Sequence, residues 1–292
     1  MFTDALFDAG HAPLFGGLAI AVLVLLRARR SGASETTLRV QAWLVTVAVG
    51  VTTEALQSLQ ADRDPAFNDL ARDAAGAAAF LLLWRWRPAA GSAVEVVSAG
   101  RWRRAAIAAG VVLLAAAAGT LALTSAAYIH RDRAMPTLVA FDGSWWERRF
   151  VRAGDASTLT SNVTPPGEGG APGGAARLDL RPATYPGLTI DEPYPDWRAY
   201  RRLVLTIVSD VDEPLKLTIR VHDAAHDQRF EDRFNRTFTV ARGVNRLAIS
   251  LDDIRRAPDR RQMDMTRIRS IVLFTYQPER PTHVYLGPIR LE

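Results

Sequence analysis

Leu215-Lys-Leu-Thr-Ile-Arg-Val221 places an apolar side chain at every odd position and a polar one at every even position. Successive side chains of a β-strand point to opposite faces, so this stretch reads as a strand with one packed face and one wet face. Runs at 176–180, 203–208, 237–240, 245–251, 270–276 and 284–291 carry similar strand signals. Turn signals separate them, among them Asp212-Glu-Pro214 and Arg242-Gly243. Spacing and alternation together predict an all-β antiparallel sandwich over 138–292. The stretch TPPGEGGAPGGA at 164–175 reads as a surface loop. It lacks the Lys and following helix of a phosphate loop, so its glycines signify only conformational freedom.

Upstream of this region the composition changes. Residues 105–128 are apolar apart from Thr and Ser, long enough for a hydrocarbon layer that takes about 20 helical residues. Three further stretches, 9–26, 40–59 and 70–86, read as helices of the same kind, the last with small residues that suit close helix packing. The expected organisation is a helical membrane domain at 1–104, a fourth transmembrane helix at 105–128, a linker at 129–137 and the sandwich at 138–292. The expected fold class is a four-helix transmembrane bundle followed by an all-β domain.

Arginines flanking spans collect on the cytoplasmic side. Arg27, Arg29, Arg30 and Arg39 separate the first two spans, and Arg85, Arg87, Arg101, Arg103 and Arg104 separate the last two. Both connections are therefore expected inside the cell, with the N-terminus and the sandwich outside a cytoplasmic (inner) membrane. No basic start precedes the first apolar stretch, so it is not read as a cleaved signal peptide.

The same flanks account for much of a net charge of +5 among 292 residues. The sandwich mixes acids freely with its arginines, which argues against nucleic acid as a partner. Lys216 is the single lysine, and cysteine is absent, which removes disulfides, thiolate nucleophiles and Cys metal sites. Nothing in the chain implies a cofactor, and no metal set is assigned.

Polar side chains at bilayer depth are costly and mark functional sites. Glu54 and Gln57 share a helix face near the outer end of the second span. Asp69, Asp73 and Gly76 share another at the outer start of the third, next to Arg72. His11 opens the first span, and Arg63 lies in the link. All converge on one membrane boundary. They predict either mutual ion pairing between helix ends or an outward polar pocket for a lipid headgroup or glycan precursor.

The order Glu54-Ala-Leu-Gln57, Arg63, Asp69, an amide or acid at 73 and Gly76, preceded by Asp8 and His11, resembles the signature of VanZ-like membrane proteins over about residues 4–86. Asp73 stands where that family usually has Asn, and Phe80 replaces a second glycine. The resemblance implies an integral envelope protein.

The C-terminal region resembles the jelly-roll, galactose-binding-like sandwiches of carbohydrate-binding modules. The residues that carry it are Asp196-Trp197-Arg-Ala-Tyr200, Ile219-Arg-Val-His222-Asp223, Asp232-Arg-Phe-Asn235, Gly243-Val-Asn245, Leu251-Asp-Asp-Ile254 and Leu286-Gly-Pro-Ile-Arg-Leu291. It implies a sugar- or partner-binding module rather than a hydrolase. Trp145, Trp146 and Trp197 are candidate stacking platforms, and His222, Asp223, Asp232 and Asn235 are candidate hydroxyl partners; core packing and turn hydrogen bonds are the competing roles. His222 and His226 have a metal-like spacing, but that spacing works on a helix face and this stretch ends a strand.

The expected partners are membrane lipid and a cell-envelope glycan or its lipid-linked precursor, bound or sensed without turnover. The alternatives are an enzyme or transporter of lipid-linked sugar, and a sandwich used only for protein interaction.

Overall fold

The computed structural model describes residues 2–30, 32–57, 67–84, 93–166 and 174–292, the side chains of 57, 67 and 93–101 excepted. The chain divides into two compact units, Met1–Ser125 and Ala126–Glu292.

The first unit contains α1 (Phe2–Arg29), α2 (Glu35–Gln57), α3 (Phe67–Leu83) and most of α4 (Ala93–Arg133). Small side chains set their spacing: Ala19, Leu23, Leu38, Ala42, Ala77 and Leu81 form the shared core. At Gly76 a Cβ would stand 2.5 Å from the backbone of Ala12, so α1 and α3 meet with nothing larger than hydrogen between them. Four residues on, Phe80 lies over Gly16 of α1, where a Cβ would stand 2.3 Å from its ring. Trp43 of α2 donates from Nε1 to the Ala74 carbonyl at 3.0 Å, and α4 approaches Leu83 of α3 at Gly110.

Among the described residues, α1 and the part of α4 at 102–133 are long and apolar enough to cross a membrane. With 17 residues, α3 falls short of the roughly 20 that a helix needs to span the hydrocarbon layer. The helix α2 carries Glu35, Arg39 and Glu54 along its 23 residues. The sequence treats four apolar stretches alike, whereas the helices they form differ in reach. Hydropathy also marks only the apolar part of a helix: α1 begins at Phe2, and α4 runs through 129–133, where His130, Arg131 and Arg133 face the negative end of the helix dipole.

The second unit stacks two antiparallel sheets. One is ordered β3 (Ser157–Val163), β4 (Ala175–Leu180), β11 (Thr282–Leu291), β6 (Arg202–Ser209), β9 (Gly243–Ser250), and β11 also pairs with β1 (Thr137–Val139). The other is ordered β2 (Val151–Ala153), β5 (Gly187–Asp191), β10 (Ile268–Phe274), β7 (Leu215–Asp223), β8 (Phe234–Val240). Two short helices, α5 (Glu147–Phe150) and α6 (Leu251–Arg255), cap the ends. Leu178, Leu180, Leu205 and Ile207 from the first sheet meet Leu217, Ile219, Ile271 and Leu273 from the second in one buried core. Trp197 is fully enclosed in it and donates from Nε1 to the Tyr194 carbonyl at 2.7 Å.

All seven expected strands are present, with shifted ends. Leu251 begins α6 instead of ending β9, because the Ser250 hydroxyl accepts from the Asp252 N–H and caps the helix. The short β1, β2 and β5 and the Ser/Thr-rich β3 add four strands that the apolar pattern does not signal. For β3 the reason lies in its burial: apart from Ser157 it is exposed or half-buried at every position, as an edge strand.

Glu147 is 4 % exposed and accepts the Ala140 N–H at 2.6 Å, tying α5 to the end of β1. Burial pushes its carboxyl up to about 7, against 4.5 when free. The folded domain thus holds a proton that the unfolded chain releases. Its stabilising effect is full below pH 4.5 and fades as pH rises toward 7. Tryptophan-monitored thermal melts of the detergent-solubilised protein should show a loss of about 3 kcal/mol across that window. In Glu147→Gln, which keeps an acceptor but cannot ionise, that loss disappears.

Candidate functional site

The wet face of the second sheet carries most of the buried, unpartnered side-chain polar atoms among the described residues. Register defines its rows, since directly opposed residues of antiparallel strands share a face. Arg152, Thr189, Val272, Arg220 and Asn235 form one cross-strand row. Asp191, Ser270 and His222 form the next, and Gly187, Phe274, Thr218 and Thr237 the one on the other side. The Thr218 and Thr237 hydroxyls lie 2.8 Å apart, as shared orientation requires.

On this face the buried atoms Arg220 Nε, His222 Nδ1, Arg233 Nε, Asn235 Nδ2, Asn235 Oδ1 and Ser270 Oγ have no hydrogen-bond partner. A buried polar atom left unpaired costs about 1–3 kcal/mol, and most are paired in folded proteins. Six such atoms lie on this one sheet face. Aromatic side chains stand at both ends. Tyr185 and Tyr276 are each about 60 % exposed, with rings 5.5 Å apart, and Tyr185 stands edge-on to Phe274. Phe230, 63 % exposed, lies at the opposite end, where Arg233 stacks over it at 5.3 Å. Gly187 keeps the Phe274 row flat, since a Cβ there would strike the Leu273 carbonyl at 2.0 Å. From Thr218 to His222 the face runs roughly 13 Å along the strand.

His222 is neutral at ordinary pH: burial, then its neighbours His226, Arg220 and Arg233, pushes it down to about 4. Its ring lies 4.7 Å from that of His226.

An ionic clamp holds the turn beside the face. Arg261 reaches Asp223 at 2.5 and 2.8 Å and Asp232 at 2.6 and 2.9 Å. Asp223 also accepts the Asp264 N–H at 2.7 Å, and Asp232 the Asp227 N–H at 3.0 Å. His226 Nδ1 donates to the Asp232 carbonyl at 3.0 Å. The Arg261 guanidinium holds Asp232 well below the usual carboxylate range. Burial opposes charge on Asp223, but Arg261 and the Asp264 amide still hold its carboxyl below its ordinary value.

Of the residues expected from the sequence, His222 and Asn235 lie on this face. Asp223 and Asp232 are engaged by Arg261 beside it. Trp197 is sealed in the core and offers no ring face. Trp145 stands edge-on to His130, and Trp146 packs against Phe150, beside α4 and α5 rather than on the sheet. The residues that sequence reasoning passed over are Arg220, Arg233, Ser270, Tyr185, Tyr276 and Phe230. Arg220 was legible as an outward residue of the 215–221 heptapeptide; the others needed the pairing of β10 and β8 with β7.

Among the described residues one histidine and acid group, His226, Asp227 and Asp232, is close enough to hold a metal. Its carboxylates are already committed to Arg229 and Arg261. Two open depressions near Trp197, Arg198 and Tyr200 lie elsewhere. There Arg198 is paired with Asp196 at 2.7 Å.

In the helical unit the polar residues pair with each other. His11 Nδ1 lies 2.8 Å from Asp73 Oδ1, with Asp73 buried between α1 and α3. Arg72 bridges Asp8 at 3.0 Å and Asp69 at 2.6 Å. Glu54 is half-buried on α2. Arg63, the flanking Arg85 and Arg87, most of the loop at 164–175, and the side chains of Gln57 and Arg101 lie outside the described residues.

No protein-family model matches the chain, the VanZ-like one included, and no curated protein does. The sandwich is similar to solved structures. A family 11 carbohydrate-binding module from Clostridium thermocellum, in complex with a β-1,3-1,4-mixed-linked tetrasaccharide, is 16 % identical over 53 % of this chain and 94 % of its own, with a TM-score of 0.40. An exo-β-agarase is 16 % identical over 53 % of this chain and 25 % of its own, at 0.41. The CBM22-1-GH10 modules of a Clostridium thermocellum xylanase, complexed with xylohexaose, are 13 % identical over 54 % and 27 %, at 0.35.

Removing Arg261 should destabilise the β domain strongly, since it leaves Asp223 charged and enclosed. Arg261→Ala is expected to cost about 3 kcal/mol in chemical denaturation. Arg261→Lys should recover less than half of that, because an ammonium cannot reproduce the planar fork that spans two carboxylates.

Proposed function

We propose that this chain is a membrane-anchored glycan-binding protein. Helices α1 and α4 cross the cytoplasmic membrane with the shorter α2 and α3 packed beside them, and the jelly-roll-like sandwich of 138–292 emerges on the outer side. Arginines on both sides of the 31–34 turn and ahead of 105 support this orientation, since basic flanks stay in the cytoplasm.

The observation that carries the binding reading is the sheet face with six buried, unpartnered polar atoms between exposed aromatic ends. Sugars present hydroxyls along their edges and C–H groups on their ring faces. Asn235, Ser270 and His222 offer donors and acceptors for the first, and Tyr185, Tyr276 and Phe230 offer rings for the second. Binding is favoured over hydrolysis, which ordinarily uses two carboxyl groups flanking the bond. The acid among the strand positions of this face, Asp191, is hydrogen-bonded by Arg152. The pairing of His11 with Asp73 and of Arg72 with Asp8 and Asp69 favours a bracing role for the polar cluster in the helices.

Because the chain has no cysteine, Asp212→Cys gives a single reporter on an exposed turn of the sandwich. A membrane-impermeant maleimide should label it in intact spheroplasts; labelling only after lysis sinks the orientation. On a glycan array, the full-length protein in nanodiscs should bind at least one oligosaccharide class. Asn235→Ala and Tyr276→Ala should each weaken that binding about tenfold, the effect of losing one or two hydrogen bonds or a stacking ring. An array without a single bound glycan overturns the reading.

A further inference from the structure

Elsewhere in the β domain many arginines are ion-paired, and others, such as Arg201, Arg260 and Arg267, stand exposed to water. Arg177 meets Asp179 at 2.9 Å, Arg236 meets Asp253 at 2.9 Å, Arg255 meets Asp252 at 2.8 Å, Arg269 meets Glu192 at 2.8 Å, and Glu292 takes Arg202, Arg246 and Arg290. Most of these pairs are exposed, where solvent would serve a lone guanidinium nearly as well. The contrast lies on the wet face of the second sheet. Among the described residues Arg220 and Arg233 form no ion pair, although both are half-buried and each has a buried, unpartnered Nε. Instead they lie over aromatic rings, Arg220 over Phe274 at 5.2 Å and Arg233 over Phe230 at 5.3 Å.

Two cations out of bulk water without an acid between them are expensive, and arginine cannot escape by losing its proton. Burial lowers both pKa values, which is the same penalty seen from the titration side. Among the described residues no nearby acid pairs with either arginine, although Glu231 acts on Arg233 from a distance. Asp191 is taken by Arg152, Asp223 and Asp232 by Arg261, and Glu231 is exposed and ion-pairs with neither arginine. His222, between them, is neutral and adds a polar atom without adding a negative charge. A neutral sugar would satisfy the hydrogen bonds but leave the charge uncompensated. A carboxylate or phosphoryl group would satisfy both, since the guanidinium fork matches either anion in a two-point contact.

Building on the glycan-binding reading, we infer that the sandwich selects an acidic glycan, whose carboxylate or phosphoryl group is held by Arg220 and Arg233 while Asn235, Ser270 and His222 take neighbouring hydroxyls.

The test uses the full-length protein in phosphatidylcholine nanodiscs at fixed ionic strength, titrated by calorimetry. The probes are oligogalacturonate, the same oligosaccharide after carboxyl reduction, and a phosphorylated oligomannose beside its dephosphorylated form. At least one acidic probe is expected to bind about tenfold or more tightly than its neutral counterpart, the worth of one charge-assisted contact. Which acidic probe gains more tells carboxylate from phosphoryl recognition. Arg220→Gln and Arg233→Gln should each shrink that ratio, and should melt at the same temperature as the parent protein or higher, because each removes an uncompensated cation. Equal binding of acidic and neutral probes overturns the charge selection and leaves glycan binding standing. Absence of binding to all four, together with an empty glycan array, overturns both. A marked fall in melting temperature in the two variants would make the arginines structural and likewise overturn the assignment.

Discussion

Everything in the β domain depends on the two-residue period of its strands. Leu217, Ile219 and Val221 must enter the space between the sheets, and that fixes Thr218, Arg220 and His222 on the other side. A shift of one residue would bury a guanidinium and an imidazole in the core and expose three branched apolar side chains. Packing energy therefore locks the position of polar groups that contribute nothing to packing. The neighbouring strands bring Ser270 and Asn235 into the same rows by the same constraint.

A surface of this kind is stable only because its cost is met by the rest of the domain. The core supplies dense apolar burial, and the Arg261 clamp satisfies two carboxylates that would otherwise compete for Arg220 and Arg233. In clamping Asp223 and Asp232, Arg261 does two things at once. It fixes the turn that carries Phe230 and Arg233, and it withdraws negative charge from the face. The positive character of that face thus follows from ion pairing beside it as much as from the residues on it.

The helical unit follows a different logic. Its close contacts run through Gly16, Gly76 and a series of alanines, so backbone proximity substitutes for large side chains. That proximity brings His11 against Asp73 and Arg72 against two acids, so charges that would be costly singly are held in pairs. Phe80 finds its place over Gly16: the space a glycine leaves on α1 is filled by a ring from α3.

Alternation and apolar runs are local properties, and the sequence by itself determined what depends on them: helices first, an antiparallel sandwich second, seven of its strands, and the outward direction of Arg220 and His222. It also marked Asp73, His11 and Arg72 as unusual and offered mutual pairing as one of two readings, though not which partner each would meet. Only the tertiary structure decided which candidates share a surface. Asp223 sits in the same motif as Arg220 and His222, yet it is bound by Arg261, and Trp197, another candidate, is sealed in the core. Tyr185, Ser270, Phe230 and Tyr276 are far from His222 in the chain or carry no local signal, and strand order alone assembles them. The physical reason is that side-chain direction is set by backbone period, which a sequence displays. Neighbourhood is set by strand register and by competition among ion pairs, both of which exist only once the sheets have formed.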